Sequence, residues 1–214
     1  MSFSSSPSSS SSSPSSSASP APPDEGDLLT ERLVLRPWTP AELFAVDRGE
    51  RQPHWAPDFP AEGDQVIAGI LTQHPEGLTG SGHRQVIERG SGLVVGSIGL
   101  FWPPNDGAVD VGYGIIASRR GRGYATEATR AMVAFGLAAP GVEAVTAEVD
   151  LANTASVRVL EKAGMTRTSE DGVTARYRTT SATATATAAG EAPATSSRGG
   201  RGSRRSRRGS SGGE

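Results

Sequence analysis

The chain has no cysteine and only three histidines among its 214 residues. The absence of cysteine excludes disulfide bonds, a thiol nucleophile and cysteine-ligated metals. The three histidines, His54, His74 and His83, do not stand at the i, i+4 spacing with which a helix presents two metal ligands on one face. The sequence therefore predicts a protein without a metal site.

Long apolar runs are also absent. None approaches the roughly 20 residues that span a bilayer, and no apolar segment typical of a secretory signal follows the N-terminus. We therefore expect a cytoplasmic protein that makes no contact with a membrane.

Large apolar side chains are scarce at both ends of the chain. Fourteen of the first twenty residues are serine and three are proline, while residues 181–214 contain no large apolar residue. Such segments bury too little surface to offset the entropy of ordering them. We predict that 1–27 and 181–214 are disordered and that a single domain occupies 28–180.

The net charge of −2 conceals an uneven distribution. The C-terminal segment carries two glutamates and six arginines, which are Arg198, Arg201, Arg204, Arg205, Arg207 and Arg208. This segment is expected to make weak contacts with polyanions, although it lacks the interleaved aromatic residues of many RNA-binding tails. The predicted domain is mildly acidic and shows no nucleic-acid-binding pattern of its own.

Within the predicted domain, the order of elements is β α α β β β α β α β β. A strand over 32–36 ends at Pro37, and a capping box from Thr39 to Glu42 begins the first helix. The second helix, over 63–71, is predicted to bury one face formed by Val66, Ile67, Ile70 and Leu71.

The middle of the domain is predicted to be an antiparallel meander. Its strands cover 83–89, 93–102 and 108–116, with a glycine turn at 90–92 and a proline-containing loop at 103–107. The remaining elements are a helix over 124–138, a strand over 143–149, a helix over 153–163 that Asn153 caps, and a hairpin of strands 165–168 and 173–179.

The segment 118–126 carries the clearest chemical pattern. It connects a strand to a helix and contains Gly121, Gly123 and three arginines. The first N–H groups of a helix lack internal partners and carry partial positive charge, and glycines let an anion approach them closely. This predicts a pyrophosphate site; the alternative is a solvated basic turn.

Other nucleotide-binding motifs fit this segment poorly. A dinucleotide fingerprint requires a third glycine, whereas Thr126 stands there, and the preceding strand belongs to a meander. A nucleoside triphosphatase loop requires Gly-Lys-Ser/Thr, which does not follow. The sequence therefore favours neither of these two motifs.

Two glycines lie inside the preceding strand, Gly112 and Gly114. Such glycines often mark a bulge, which would separate this strand from its neighbour and free backbone groups for an extended, amide-containing ligand such as a pantetheine arm. The alternative is that they give room to an aromatic side chain.

Several of these motifs together resemble the GCN5-related N-acetyltransferase (GNAT) superfamily. Residues 120–125, Arg-Gly-Arg-Gly-Tyr-Ala, match its Q/R-x-x-G-x-G/A motif, and 153–156 with 161–165 resemble its second cofactor-side motif. Residues 30–36 resemble the first strand of the branch that acetylates ribosomal-protein N-termini, the RimJ/RimL type. The resemblance implies a mixed α+β fold, with a mostly antiparallel central sheet, a splayed strand pair and about four helices.

The resemblance also implies a site for acetyl-CoA, the cosubstrate. Backbone groups of Ile115, Ile116 and Ala117 would contact pantetheine, and Asn153 with Ser156 would lie near the thioester. For Asn153 the alternative is a helix cap alone, and the two roles are compatible. The pyrophosphate would be surrounded by Arg120, Gly121, Arg122, Gly123, Tyr124, Ala125 and Thr126. The side chain of Tyr124 fits a core position better than a cofactor contact.

The catalytic residues follow the family pattern only in part. Many members carry a tyrosine as general acid seven residues after the asparagine; here that position is Leu160, which leaves Ser156 as the candidate acid. Asp110 is the candidate general base, with an ordinary surface carboxylate as the alternative. Glu148 and Glu170 are weaker candidates.

The acceptor is the least defined part of the prediction. Trp55 and Phe59 could line an acceptor pocket or pack in the core, and the acceptor could be a peptide N-terminus, an amino acid or an aminoglycoside-like amine. A second hypothesis is a catalytically idle CoA-binding protein that associates with RNA or ribosomes through its arginine-rich tail.

Overall fold

The computed structural model describes residues 26–73 and 82–181. The predictions for the two ends of the chain fall almost entirely outside these ranges, as does His74. Gly26 and Asp27 are bound to the domain, because the Arg36 side chain donates to the Asp27 carboxylate at 2.8 Å and Arg84 donates to the Gly26 carbonyl. The folded part therefore begins before residue 28.

In the described part of the chain, eight strands form one sheet. They are Leu28–Leu29 (β1), Leu33–Pro37 (β2), His83–Glu88 (β3), Leu93–Asn105 (β4), Ala108–Ile115 (β5), Ala144–Asp150 (β6), Thr166–Glu170 (β7) and Thr174–Thr180 (β8). Their order across the sheet is β1-β2-β3-β4-β5-β6-β8-β7. Every neighbouring pair is antiparallel except β5 and β6. The predicted mixed fold with a mostly antiparallel sheet is confirmed.

Four α-helices accompany the sheet in the described part of the chain: Pro40–Asp47 (α1), Glu62–Gln73 (α2), Tyr124–Leu137 (α3) and Thr154–Lys162 (α4). The predicted capping box is present, since the Thr39 hydroxyl accepts the Glu42 N–H while the Glu42 carboxylate accepts the Thr39 N–H. Asn153 caps α4 by accepting the Ser156 N–H at 3.1 Å. Both helix starts follow from local sequence.

Helices α2 and α3 lie on opposite faces of the sheet. On one face α3 packs closely, since a Cβ added at Gly136 would lie 2.9 Å from Leu100 and 3.1 Å from Val145. On the other face α2 meets the sheet through Asp64, whose carboxylate accepts a hydrogen bond from Ser97. Side chains alternate between faces along a strand, so Asp110, Gly112 and Gly114 share the α2 face.

Two local predictions are wrong. Val66 is 58% exposed and does not belong to the buried face of α2, which buries Asp64, Ala68 and Leu71 instead. The predicted loop 103–107 is mostly strand, because β4 continues to Asn105. Its pairing is irregular after Phe101, which fits two successive prolines that have no N–H to donate to the ladder.

None of the described helices is long and apolar enough to cross a membrane.

Candidate active site

The strands β5 and β6 separate after a short parallel contact. They pair only at Ala108–Ala144, Val109–Val145 and Asp110–Thr146. Beyond these pairs, β5 continues beside β4 to Ile115, and β6 continues beside β8 to Asp150. A wedge therefore opens between the two strands, which confirms the predicted splayed pair.

The cause of the splay differs from the one predicted. The β4–β5 register is unbroken from Gly96–Ile115 to Phe101–Asp110, so Gly112 and Gly114 form no bulge against β4. Gly112 instead lies beneath the Phe101 ring, and a Cβ added at Gly112 would be 3.0 Å from the nearest ring carbon. The alternative explanation, a glycine that makes room for an aromatic ring, is therefore correct for Gly112. The strand separates on its other edge, from β6.

The segment after β5 presents free backbone N–H groups. A short 3-10 turn, Ala117–Arg119, leads into Gly121 and Gly123, which have φ of 75° and 79°, and α3 then begins at Tyr124. No described side chain caps this helix. Among the described residues, none accepts a hydrogen bond from the N–H groups of 121–126. This is the arrangement that binds phosphate at helix N-termini.

The buried carboxylate of Glu88 binds several residues of this loop. Glu88, at the end of β3, accepts hydrogen bonds from Tyr124 Oη at 2.7 Å, Ser91 Oγ at 2.6 Å and Arg119 Nε at 3.2 Å. It also pairs with Arg122 at 3.4 Å. Burial raises the pKa of Glu88, but the hydrogen bonds from Ser91, Tyr124 and Arg119 together outweigh it, so the pKa is lowered.

Sequence reasoning did not identify Glu88. Its partners are spread from Ser91 to Tyr124, and a single glutamate at the end of a predicted strand carries no local signal. The same contacts define Tyr124 as a loop anchor, because its buried hydroxyl bonds Glu88, and this bond raises the tyrosine pKa. Ala125 and Thr126, in the first turn of α3, are half-buried.

A second carboxylate ties the loop to the N-terminal strands. Glu127 accepts the Thr30 hydroxyl at 2.6 Å and the Arg32 guanidinium at 2.7 Å. Arg32 also donates to the Arg122 carbonyl at 2.8 Å and lies over the Tyr124 ring. The loop is thus fixed at both sides before any ligand binds.

The arginines of the loop are partly committed to protein partners. Arg119 and Arg122 pair with Glu88, and Arg120 Nε donates to the Ile115 carbonyl at 3.0 Å. The predicted positive charge is therefore partly compensated. An anion at this loop would be held first by the free N–H groups and then by Arg120 and Arg122, whose side chains are exposed.

The backbone groups expected to contact pantetheine are not equally free. The N–H of Ile116 donates to the Val95 carbonyl at 3.0 Å, and its own carbonyl accepts the Arg119 N–H at 3.0 Å. Ile116 is therefore engaged on both sides, and its side chain is buried. The carbonyls of Ile115 and Ala117 accept hydrogen bonds from Arg120, through its Nε and its backbone N–H, so the N–H groups of these two residues are the remaining candidates beside the wedge.

The start of α4 lies across the wedge from β5. The Tyr113 hydroxyl donates to the Ser156 carbonyl at 3.3 Å and so bridges the two sides. The Ser156 hydroxyl itself has no hydrogen-bond partner among the described residues. Leu160, at the position of the usual tyrosine, is fully buried, so it supplies neither a proton donor nor an accessible surface.

Asp110 lies at the closed end of the wedge. Its side chain is exposed and accepts a hydrogen bond from Thr146 at 2.6 Å. Gly114 is four residues further along β5, about 13 Å away at the rise of a strand. The weaker candidates are ion-paired on the surface, Glu148 with Arg176 and Glu170 with Arg167. These surroundings are those of surface carboxylates.

Trp55 and Phe59 belong to the hydrophobic core of the described chain. Both are buried in the core, where their rings meet edge to face at 5.2 Å. The second of the two predicted roles is therefore correct. Sequence could not decide, because large aromatic residues serve both purposes.

A cavity of about 360 Å³ lies elsewhere, between α2 and the face of β4 and β5. Its lining includes Trp38, Asp64, Ile67, His83, Ser97, Phe101, Gly112 and Gly114. Asp64 is only 6% exposed, and burial raises its pKa despite hydrogen bonds from Ser97 and the Ala61 N–H. Sequence reasoning missed this residue, because an acid in the first turn of a helix usually has only a capping role.

His83 forms part of the cavity floor. It is 8% exposed, and its ring meets Phe101 edge to face at 5.1 Å. A Cβ at Gly99 would overlap the imidazole, so this glycine is required where the ring crosses β4. Burial lowers the His83 pKa to about 4, and the ring is therefore neutral at pH 7.

This pKa predicts a pH dependence of stability. Between the ordinary value of 6.5 and about 4, the unfolded chain binds a proton at His83 that the folded chain does not. Stability is therefore lost as pH falls through this interval, by roughly 3 kcal/mol from this group. Urea unfolding at pH 7, 5.5 and 4 should show a shallower loss for His83→Gln than for the parent. Parallel pH profiles would contradict the prediction.

Across residues 26–73 and 82–181, no three His, Asp or Glu side chains come together as a metal-binding group.

Comparisons with known proteins indicate the family and the fold of this chain. The sequence model of the acetyltransferase (GNAT) domain matches residues 32–166. An acetyltransferase of the GNAT family from Bacillus anthracis superposes with a TM-score of 0.53 at 21% identity, covering 72% of this chain and 98% of that one. The ribosomal-protein-S5-alanine acetyltransferase from Vibrio fischeri gives 0.56 at 14% identity, covering 73% and 97%.

A third similar structure has a different acceptor in its name. A chimera of the Vibrio cholerae spermidine N-acetyltransferase SpeG and hSSAT superposes with a TM-score of 0.54 at 13% identity, covering 72% of this chain and 99% of that one. At these identities the structural likeness shows the fold alone. The domain match covers residues 32–166, more than half of the chain, and so shows the family. The chain belongs to the GNAT family of acetyltransferases.

Proposed function

We propose that this GNAT protein transfers the acetyl group of acetyl-CoA to a primary amine, and that the amine is the α-amino group of a polypeptide. The observation that carries the proposal is the wedge between β5 and β6, which leads directly into the uncapped N-terminus of α3. An extended chain ending in a diphosphate fits such a path, because the wedge offers strand edges and the helix start offers free N–H groups.

The residues suited to hold acetyl-CoA follow this path. Residues 120–126 would surround the diphosphate with N–H groups, two arginines and the Thr126 hydroxyl. Ile115, at the end of β5, and Ala117, in the turn that follows, would contact the pantetheine amides. Ser156 and the cap residue Asn153 would lie at the reactive end, where α4 begins. The support is that most of these groups are free of protein partners or exposed.

The reaction needs a neutral amine, a polarised carbonyl and a proton for the departing sulfur. At pH 7 the removal of a proton costs about 1 kcal/mol for an α-amine of pKa ~8, and nearer 5 kcal/mol for a lysine of pKa ~10.4. An α-amine therefore requires only a modest base. Backbone N–H groups at the edge of β5 are suited to polarise the carbonyl oxygen.

Ser156 is the proposed proton donor. Its hydroxyl would give its hydrogen to the sulfur as the C–S bond breaks and take up the proton that the attacking nitrogen releases as the C–N bond forms. The balance is one acetyl-CoA and one ammonium group giving one amide, one free thiol and one proton. The hydroxyl suits this role because it is not held by any described residue, while its backbone is fixed by Asn153 and Tyr113.

Acetyl transfer to a panel of peptides and small amines tests the proposal, with Ser156→Ala as the central variant. We expect the parent to acetylate at least one α-amine, and Ser156→Ala to lower kcat by about 10² with little change in the KM for acetyl-CoA. The matched control is Thr154→Ala, which removes an exposed hydroxyl from the same turn of α4 and should leave kcat unchanged. An unchanged kcat in Ser156→Ala removes it as the acid, and no transfer to any amine by the parent removes the proposed activity.

A further inference from the structure

We propose that the cavity between α2 and the β4–β5 face binds the acceptor, that Asp64 holds its ammonium group and takes its proton, and that the preferred acceptor carries one positive charge next to an apolar group. This inference rests on the proposed acetyl transfer and adds to it a base and a selectivity.

The first observation is that the buried carboxylate of Asp64 has no ion-pair partner in the described part of the chain. The Asp64 side chain is buried and, within the described part of the chain, forms no ion pair with Arg, Lys or His. Its two oxygens accept hydrogen bonds from Ser97 Oγ and from the Ala61 N–H, the latter at 2.9 Å. A buried carboxylate is costly without a partner of opposite charge, and an incoming ammonium group would supply one.

The capping role of Asp64 explains only part of this arrangement. Its hydrogen bond to Ala61 is the usual contact of an acid in the first helical turn. That contact needs a single oxygen and can be made at the surface. It does not account for the burial, for the contact with Ser97 on β4, or for the opening of a 360 Å³ cavity beside the carboxylate.

The second observation is position. Asp64 Oδ1 lies 3.9 Å from where a Cβ of Gly114 would be. Gly114 precedes Ile115, where the free edge of β5 is proposed to contact the pantetheine arm. The missing side chain of Gly114 leaves the strand open on the cavity side, whereas Gly112 is covered by the Phe101 ring. An amine at Asp64 would therefore lie next to the strand that is proposed to contact the pantetheine arm. Asp110, at the closed end of the wedge, is about 13 Å from Gly114 along the same strand.

The third observation is the chemistry of the walls. Trp38, Ile67 and Phe101 supply apolar and aromatic surface, and Asp64 is the only acid among the described residues of the lining. His83 is neutral at pH 7 because its pKa is lowered to about 4. One carboxylate balances one ammonium group, and a second cation would be buried without a partner. The volume is at the lower end of ligand pockets, so a single ammonium group beside an apolar side chain, as at the N-terminus of a peptide, is favoured over a polyamine or an aminoglycoside.

The proton transfer is simple to balance. The acceptor ammonium gives one proton to the Asp64 carboxylate and becomes a neutral amine, whose nitrogen attacks the thioester carbon. Asp64 then returns that proton to solvent. Burial supports the step, since it raises the Asp64 pKa and so makes the carboxylate a stronger base than an exposed one.

The test compares Asp64→Asn with Glu62→Gln, which removes an exposed acid from the same turn of α2. Two probe amines are used, phenethylamine with one charge and spermidine with several. We expect the parent to prefer phenethylamine, Asp64→Asn to lower kcat/KM for it by at least 10², and Glu62→Gln to leave it close to the parent value. The affinity for acetyl-CoA, measured by calorimetry, should be equal in the parent and the two variants. Equal affinity would show that the variants are folded.

Several outcomes would overturn the inference while leaving the proposed function intact. They are transfer by Asp64→Asn at the parent rate, a preference for spermidine, or, in the additional variant Asp110→Asn, a loss of activity that Asp64→Asn does not show. If the parent binds acetyl-CoA but acetylates neither probe amine nor any peptide, the result contradicts the proposed function instead. The pH profile provides a further check, because the fall of kcat/KM at low pH should disappear in Asp64→Asn.

Discussion

Gly123→Glu is expected to lower the affinity for acetyl-CoA by at least 10². The residue stands at the N-cap of α3 with φ of 79°, where side chains are rarely tolerated, and the N–H groups that follow have no partner in the described structure. A glutamate there places a negative charge where the diphosphate is proposed to lie. Its Cβ would be 3.4 Å from the Arg32 guanidinium, so the new carboxylate would also compete for that cation. Calorimetric titration with acetyl-CoA measures the effect.

A matched control separates charge at the loop from strain in the backbone. Gly172, in the β7–β8 turn, has φ of 88° and no neighbour within 4 Å of its added Cβ. Gly172→Glu therefore imposes a similar conformational cost away from the loop, and its affinity should equal that of the parent. Gly123→Ala should fall between the two, since it adds bulk without charge. Equal affinity in Gly123→Glu and the parent would reject the placement of the diphosphate.

Glu88→Ala is expected to destabilise the domain by about 3 kcal/mol. The substitution leaves the Tyr124 hydroxyl, which is buried, without its acceptor and leaves Arg119 and Arg122 without their common carboxylate. Breaking such a buried network on one side exposes the desolvation cost of the remaining groups. Urea unfolding measures the loss. Glu148→Ala removes an exposed ion pair with Arg176 and should cost less than about 1 kcal/mol.

The pKa of Glu88 gives this prediction a second readout. Because the folded-state pKa is lowered, the stabilisation is present above the ordinary value of 4.5 and is lost as pH falls through the folded-state pKa. The parent should therefore lose its advantage over Glu88→Ala on acidification. A constant difference in the free energy of unfolding from about pH 7 to pH 3 would show that the carboxylate charge does not matter.

The elements that sequence predicts well are those with a local cause. The helix starts at Thr39 and Asn153 follow from side chains that bond their own first turn, and the glycine loop follows from the geometry that a helix N-terminus needs. The match of residues 120–125 to a known motif then indicates the family. In each case the deciding contacts lie within a few residues of one another along the chain.

The features that sequence does not predict depend on residues far apart in the chain. Glu88 meets Tyr124, and Asp64 meets Ser97, only after the sheet has formed. A bulge at Gly112 is the wrong expectation because the ring that covers this glycine, Phe101, belongs to another strand. The family resemblance favours Asp110 as base because relatives often carry a carboxylate at this strand position, and in the structure that position is the closed end of the wedge.

The three residue pairs between β5 and β6 have one more consequence. They are the only ladder in the described sheet that joins its left part, β1 to β5, to its right part, β6 to β8. Acetyl-CoA bound in the wedge, as proposed, would contact both parts at the place where few backbone hydrogen bonds join them. A ligand that binds only the folded protein stabilises it by mass action, so acetyl-CoA should raise the free energy of unfolding.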